Sequence, residues 1–387
     1  MLWQHYVYRR GNDVDDLWDH LLSNRPIKLL YITGHGFDIR ARITLRRFLD
    51  NIKANSHRIE SAELLLVKPE NYFLSEELKE LTRENTQAIR DMFSEVGYVT
   101  EESLDTEDYQ GEEPTASQAL RLGIKSILSH IDNQTDIILD VSSIPRIGYL
   151  AILTSLLKHI IPDVNMSQPL RANNVNFQVI VAEDSILDSK IQSEDPSDSL
   201  VSIPGFSAIL HAESVRDWPL VWFPVLGENR SGQFERVSTL AGIQSSDEIV
   251  PVLPHPSINP RRADDLLIEY QQQLFGTLFT PLSNVMFAHE SHPFEAYRQL
   301  LGAMKRYVNS LSVLGGCRLL VTPLGSKMIT VAVGLACFEM RNDSFATYGV
   351  GIPYVNPNRY VATRSDIENT NPILSVLLLT GVAYGTL

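Results

Sequence analysis

Three side chains of different chemistry follow one apolar run in the middle of the chain. Residues 135–158 read TDIILDVSSIPRIGYLAILTSLLK: Asp140 ends the run, and Ser142 and Arg146 precede an apolar segment with helical spacing. The pattern predicts a strand, a polar turn and a helix. A carboxylate there can accept a hydrogen bond from a ribose hydroxyl, and a serine hydroxyl can donate one to a phosphate. A guanidinium offers a planar pair of donors to a phosphate or a base. The alternative is that Asp140 and Ser142 only cap the helix. We favour ligand contact, because capping does not need the arginine.

Two other turns carry glycine and polar residues after a predicted strand. The strand at 27–33 leads into Gly34, His35 and Gly36, where glycine lets a ligand approach the backbone and His35 is a candidate acid, base or stacking group. The strand at 317–322 leads into Gly325, Ser326 and Lys327, which would offer backbone N–H groups and one cation at a helix start. The alternative in each case is a turn without a ligand. Gly34 would then simply end its strand, and Lys327 would extend its charged end into solvent.

Familiar catalytic and metal-binding patterns are missing from the sequence. The loop 227–232 is not followed by Lys-Ser or Lys-Thr, and neither H-E-x-x-H nor G-x-S-x-G occurs. His255, His289 and His292 lack the spaced partners of a zinc site. We interpret His289 and Glu290 as polar loop groups, and Arg262 as part of a helix entry. The sequence therefore predicts no metal and no cofactor.

Composition is typical of a folded globular protein. The chain has 387 residues, of which 44% are hydrophobic, and this length suggests about two or three domains. Its net charge of −14 gives no overall electrostatic field that would attract nucleic acid. Its two cysteines, Cys317 and Cys337, stand in apolar surroundings and predict a reducing cytoplasm. We expect no signal peptide and no membrane span, since no apolar stretch has the length either requires.

The elements that must position these side chains alternate between strand and helix patterns, which is typical of parallel βαβ units. Each half opens on a strand with a glycine loop and later has a strand, a short polar loop with one cation and an apolar helix, so Arg146 corresponds to Lys327. We predict an α/β fold of two Rossmann-like, doubly wound lobes in pseudo-repeat. The lobes span 1–182 and 216–387, with an acidic linker or excursion at 183–215. A second acidic loop is predicted at 101–113, and the last strand at 348–355.

The order Asp140-x-Ser142-x-x-x-Arg146 after a buried strand, with a glycine loop at the first strand, resembles the CARF sensor domains of CRISPR systems and prokaryotic antiviral defence. It also resembles the related SAVED domains, which fuse two CARF-like units. The resemblance implies a cyclic oligonucleotide bound at the carboxyl ends of the strands. The residues that would line the two lobes are Gly34, His35, Gly36, Asp140, Ser142 and Arg146 in one and Gly325, Ser326 and Lys327 in the other. In the second lobe Val321 and Pro323 stand where the motif has Asp140 and Ser142.

The sequence thus favours a nucleotide or cyclic-oligonucleotide sensor in a prokaryotic antiviral defence system. One alternative is an enzyme acting on nucleotides or nucleosides, by phosphodiester cleavage or glycosyl transfer, with Asp140 or His35 as base. Another is a non-catalytic interaction subunit of a defence complex whose acidic loops bind a basic partner. No nuclease, protease or helix-turn-helix motif is found, so the effector of a sensor would be a separate protein or an unrecognised activity of this chain. A homo-oligomer is left open.

Overall fold

The structure, a computed structural model, describes residues 1–69, 72–105, 116–341 and 347–385. The strands in these residues are β1 (Val7–Arg10), β2 (Ile27–Gly34), β3 (Ile59–Pro69), β4 (Tyr98–Leu104), β5 (Asp136–Asp140), β6 (Asn176–Glu183), β7 (Gln192–Pro196), β8 (Val201–Ser202), β9 (Leu220–Val225), β10 (Glu248–Ile249), β11 (Val252–Pro254), β12 (Met286–Ala288), β13 (Cys317–Pro323), β14 (Tyr348–Gly351), β15 (Pro353–Tyr354), β16 (Pro357–Val361) and β17 (Ile373–Thr380). The α-helices are α1 (Asp13–Leu22), α2 (Arg40–Ala54), α3 (Glu76–Phe93), α4 (Ala116–Leu128), α5 (Arg146–Ile160), α6 (Ser185–Lys190), α7 (Ala208–His211), α8 (Ser231–Leu240), α9 (Arg262–Glu269), α10 (Pro293–Leu311), α11 (Lys327–Glu339) and α12 (Arg364–Glu368). None of these helices combines the length and the apolar character that a bilayer span requires.

The described chain divides into two compact units, and the first contains residues 1–105, 119–192 and 360–385. Its sheet has the order β1-β17-β6-β5-β2-β3-β4. The strands from β6 to β4 are parallel, whereas β17 runs antiparallel to β6 and β1 antiparallel to β17. The chain winds outward from β2 to β4, then returns to β5 on the other side of β2. This reversal is the switch point of a doubly wound sheet.

The second unit contains residues 116–118, 193–341 and 347–359 and repeats this winding. Its sheet has the order β12-β11-β9-β13-β14, with β10 also paired to β9, and its strand pairs are parallel. The chain again starts on a central strand, β9, moves outward to β12 and returns to β13 beside β9. The predicted α/β, doubly wound architecture is confirmed, and the two sheets wind in the same order.

Local sequence explains most of these elements. The parallel strands β2, β5 and β6 are almost continuously apolar, because helices cover both faces of such a sheet. Crossovers in parallel sheets are right-handed, so reversal after β4 places α2 and α3 on one face and α4 and α5 on the other. Helix α3 starts where Ser75 accepts a hydrogen bond from the Leu78 N–H, followed by two acidic residues in its first turn.

Three details differ from the predicted organisation. The strand β17 was not predicted and lies in the first sheet, so the C-terminal residues do not all belong with the second unit; an apolar run predicts a strand but not its sheet. The excursion 183–215 contains short helices and strands, two of which, β7 and β8, pair with β16 and β15. The predicted acidic loop at 101–113 begins inside β4, and its residues 106–113 lie outside the described residues.

Both cysteines lie in the second unit, where they are buried and not disulfide-bonded. Burial raises the pKa of the Cys317 thiol to about 11, and it raises the pKa of the Cys337 thiol further. These thiols are therefore core groups rather than nucleophiles.

An arginine is buried where α2 begins. The Arg40 side chain is 1% exposed, and its Nη2 lies 2.6 Å from Asp38 Oδ2 while its Nη1 lies 2.8 Å from Asp188 Oδ1. Nη1 also donates to the carbonyl of Ala182, near the end of β6, at 3.3 Å. One guanidinium thus joins the turn after β2, the end of β6 and helix α6.

Replacing Arg40 with methionine would keep much of the side-chain volume while removing the cation between two carboxylates. We expect the free energy of unfolding of the first unit to fall by about 3–5 kcal/mol, as for other broken buried ion pairs. The loss is measured as a lower urea midpoint by circular dichroism. The matched control is Arg83→Met, because Arg83 is 69% exposed and pairs with Glu80 at the surface, where a pair contributes about 0–1 kcal/mol. Equal midpoints for the two variants would contradict the assignment.

Candidate functional site

At the switch point of the first sheet, the loops after β2 and β5 are in direct backbone contact. The Gly34 N–H donates to Ser143 Oγ at 3.2 Å, and the Ser143 hydroxyl donates to the Gly34 carbonyl at 3.0 Å. A Cβ added at Gly34 would lie 2.8 Å from the Ser143 carbonyl carbon and oxygen. The neighbouring loop is therefore sufficient to explain why residue 34 is glycine.

The loop from Gly34 to Asp38 is fixed at several further points. Asn85, on α3, donates from Nδ2 to the carbonyls of Gly36 at 2.8 Å and Asp38 at 3.2 Å. The His35 N–H donates to the Val67 carbonyl on β3 at 2.8 Å. The loop is thus preorganised. Sequence reasoning missed Asn85, since a mid-helix asparagine carries no local signal for a loop some 49 residues away.

The acidic and hydroxyl groups of the central motif are fully buried and bonded to the protein. Asp140 accepts from the Tyr31 hydroxyl at 3.2 Å and from the Ser142 N–H at 2.9 Å. Ser142 Oγ accepts from the Ala182 N–H at 3.2 Å. Neither caps α5, whose N-cap position is occupied by Pro145. Both side chains hold the turn in place, and burial together with the Asp140 charge raises the pKa of Tyr31 well above its ordinary value.

The predicted residues that a ligand could reach in this lobe are fewer. Arg146 is the first residue of α5 and is partly exposed, as are His35, Gly36 and Ser143 on the two loops. The amino end of a helix carries a partial positive charge that the arginine reinforces. The two loops and the start of α5 thus bring together a cation, an imidazole and backbone groups at the carboxyl edge of the sheet.

The second switch point repeats the loop contact. A Cβ at Gly227, after β9, would lie 2.2 Å from the Leu324 carbonyl oxygen, after β13. Gly325 is buried, with an added Cβ 3.0 Å from a methyl carbon of Val225. Ser326 caps α11 by accepting from the Ile329 N–H at 3.4 Å, and Lys327 is the first residue of that helix. Ser326 and Lys327 are partly exposed, and Lys327 occupies the position that Arg146 has in the first lobe.

Each lobe also has the same side-chain hydrogen bond between the strand at which the winding starts, β2 or β9, and the strand to which the chain returns, β5 or β13. Tyr31, opposite Ile138, donates to Asp140 two residues further along β5. Trp222, opposite Leu320, donates from Nε1 to Thr322 Oγ1 at 2.8 Å, again two residues further along β13. Thr322 is therefore the structural counterpart of Asp140, one residue later than the sequence spacing suggested.

A charged cluster joins further loops at the carboxyl ends of the strands in the second sheet. Arg262 Nη2 donates to Glu228 Oε2 at 2.6 Å, and Nη1 pairs with Glu290. The arginine so ties the loops after β9 and β12 to α9, a role its helix-entry interpretation missed because the partners are distant in sequence.

His292 caps α10 by accepting from the Glu295 N–H at 3.3 Å. Burial lowers the pKa of His292, which suits a neutral acceptor. Among the described residues, no group of three or more His, Cys, Asp or Glu side chains is arranged to hold a metal ion.

Comparisons with known proteins add little to this geometry. No protein-family model and no curated protein matches the sequence. One solved structure in the comparison is described as "Adenylation, ketoreductase, and pseudo Asub multidomain structure of a keto acid-selecting NRPS module". It is 10% identical, with a TM-score of 0.17, over 89% of this chain and 35% of that one. This chain thus spans about a third of that chain's length, and a likeness at this score carries no argument about fold or function.

The two loop contacts predict which glycines tolerate a methyl group. Gly34→Ala and Gly227→Ala should each lower the free energy of unfolding by about 1–3 kcal/mol, because the added Cβ overlaps backbone that has no room to move. The matched control is Gly232→Ala, at an exposed position of α8, where the nearest atom lies 3.7 Å from the new Cβ; it should be neutral or stabilising by up to about 1 kcal/mol. Thermal unfolding of the three variants tests this, and a loss at Gly232 as large as at Gly34 would count against it.

His35 should make stability depend on pH. Half-burial disfavours the imidazolium, so the pKa of His35 lies below its ordinary value of 6.5. As pH falls below about 6.5, the unfolded chain binds a proton that the folded chain resists, so stability is lost with acidification and retained above that range. His35→Gln should lose less stability than the wild type between pH 7.5 and about 5.5, measured by urea unfolding. Parallel pH profiles would exclude this role for the ring.

Proposed function

We propose that this protein binds a phosphate-bearing, nucleotide-type ligand at the switch point of its first sheet. The observation that supports the proposal is the position of Arg146: a partly exposed cation at the positive end of α5, beside a preorganised glycine loop. Open α/β sheets bind ligands outside the carboxyl ends of their strands at this point, and helix amino ends bind anions. A cyclic oligonucleotide is the class that the resemblance to CARF and SAVED domains implies.

The residues divide into those that touch the ligand and those that hold the site. In this proposal Arg146 pairs with a phosphate, Gly36 offers backbone groups, and His35 stacks on or bonds a base. Asp140 and Ser142 instead position the turn, because both are fully buried and bonded to the protein. Gly34 sets the contact with the neighbouring loop.

The second lobe supplies an anion site of its own in this proposal. Lys327 stands at the start of α11 as Arg146 does at the start of α5, and Ser326 presents a capped helix end. A lysine is a point charge without the planar fork of arginine, so it would hold phosphate with less geometric specificity. Gly325 is buried and serves loop packing.

The setting that we propose is a sensor of prokaryotic antiviral defence, acting in the cytoplasm on a separate effector protein. Binding alone would then suffice, and occupancy of the site would be the signal. The enzyme alternative now depends on His35, because Asp140 is enclosed and His35 is a partly exposed base whose lowered pKa keeps it neutral near pH 7. Product formation from the bound nucleotide would favour that alternative.

Arg146→Ala should weaken nucleotide binding by at least tenfold, since a charge-assisted hydrogen bond contributes about 1.5–3 kcal/mol. The measurement is calorimetric titration with a panel of cyclic di-, tri- and tetranucleotides. The matched control is Lys158→Ala, which removes a cation from the exposed, far end of the same helix and should leave affinity unchanged. Circular dichroism establishes that both variants fold.

Two results would overturn the assignment. One is equal affinity of the wild type and Arg146→Ala for every nucleotide that binds. The other is an equal loss in Lys158→Ala, which would point to the charge of the helix rather than to a site at its start.

A further inference from the structure

A groove between α1 and α2 offers a second binding surface, away from the switch point. Its volume is about 770 Å³. It is lined by Asp15 and Asp19 of α1 and, on α2, chiefly by Arg42, Ile43, Arg46 and Asp50. From these residues we infer that the groove docks an acidic, amphipathic helical segment of a partner protein.

Three of the six charged side chains in the groove are bonded within the protein. Arg47 Nη2 lies 2.8 Å from Asp15 Oδ2. Asp19 accepts from Nδ2 of Asn51 at 2.9 Å and of Asn55 at 2.6 Å. The two carboxylates that α1 contributes to the groove therefore already have hydrogen-bond or ion-pair partners in the protein.

Two cations and one acid on α2, Asp50, form no salt bridge among the described residues. Arg42 and Arg46 stand one helical turn apart, and neither forms an ion pair with any residue that the structure describes. Glu84 is near enough to be influenced by Arg42, but its carboxylate is bonded to Arg364 at 2.6 Å. In a chain with a net charge of −14, this pair is a local site for negative charge.

An apolar side chain lies between the two cations. Ile43 is 37% exposed, whereas Ile39, one turn earlier, is 5% exposed and packs into the core with Leu78 and Leu81. An exposed apolar residue flanked by two cations without ion pairs is the complement of an amphipathic helix with apolar anchors and acidic flanks.

The shape of the groove and its acidic wall decide between possible partners. Helix α2 has 15 residues, about 22 Å at 1.5 Å per residue, enough for about four turns of a docked helix. A nucleic acid would bring phosphates against Asp15, Asp19 and Asp50 and would leave Ile43 unmatched. A helical peptide can turn its acidic side toward Arg42 and Arg46 alone. This inference does not depend on the proposed nucleotide site, because none of its groove residues belongs to that site.

The test uses the full chain and a fluorescein-labelled 15-residue peptide that alternates glutamate pairs with leucine pairs. Anisotropy should show binding at 50 mM NaCl that weakens at 300 mM, since surface charges are screened. The double variant Arg42→Glu/Arg46→Glu should lower affinity at least tenfold, and Ile43→Ser should lower it with the charges intact. The matched control is Arg83→Glu on α3, an exposed arginine outside the groove, which should bind as the wild type does.

Several outcomes would overturn the inference. They are no binding of this peptide up to 1 mM, unchanged affinity in the double variant, or equal binding of the same peptide with lysine in place of glutamate. Preferential binding of a single-stranded RNA oligonucleotide, lost in the same double variant, would replace it with a nucleic-acid surface. Calorimetric nucleotide binding by the double variant shows separately whether the switch-point site is intact.

Discussion

At each switch point two loops approach closely, and the candidate anion sites at Arg146 and Lys327 both depend on this contact. A doubly wound sheet reverses direction beside a central strand, and the loops after this strand and after the strand to which the chain returns leave neighbouring strand ends there. In this protein they touch through backbone, Gly34 against Ser143 and Gly227 against Leu324. Glycine is needed because a Cβ at either position would overlap a carbonyl group. The contact fixes where α5 and α11 begin, and so where Arg146 and Lys327 stand.

Buried charges complete the positioning at the edges of the sheets. At the amino edge of the first sheet, Arg25 donates to both oxygens of Asp136, at 2.7 and 2.5 Å, and Asn176 donates to the same carboxylate at 3.0 Å. Arg40 and Arg262 act similarly at the carboxyl edges of the two sheets. Such groups are costly to desolvate, so what they contribute is a defined geometry for the segments they join more than net stability.

The sequence predicts what is local and misses what is distant. Strand and helix types, the pseudo-repeat and the equivalence of Arg146 and Lys327 follow from periodicity and turn residues, which act within a few positions. Three features depend on contacts between segments far apart in the chain. They are the pairing of β17 with the first sheet, the hydrogen bonds from Asn85 to the glycine loop, and the ion pairs of Arg262. The burial of Asp140 was missed for the same reason: a carboxylate at a strand end has one sequence signature whether it faces a ligand or a tyrosine.

Comparison of the two lobes separates structural from ligand-directed groups. In both lobes the strand at which the winding starts donates to the end of the strand to which the chain returns, from Tyr31 to Asp140 and from Trp222 to Thr322, with the same offset between strands. A neutral hydroxyl can replace the carboxylate, so this bond requires an acceptor and not a charge. A cation at the first residue of the following helix also occurs in both lobes, where neither the strand pairing nor the cap requires one. The cation is therefore a feature that the two lobes share in addition to this bond, and it lies at a helix amino end, where the partial charge of the helix is positive.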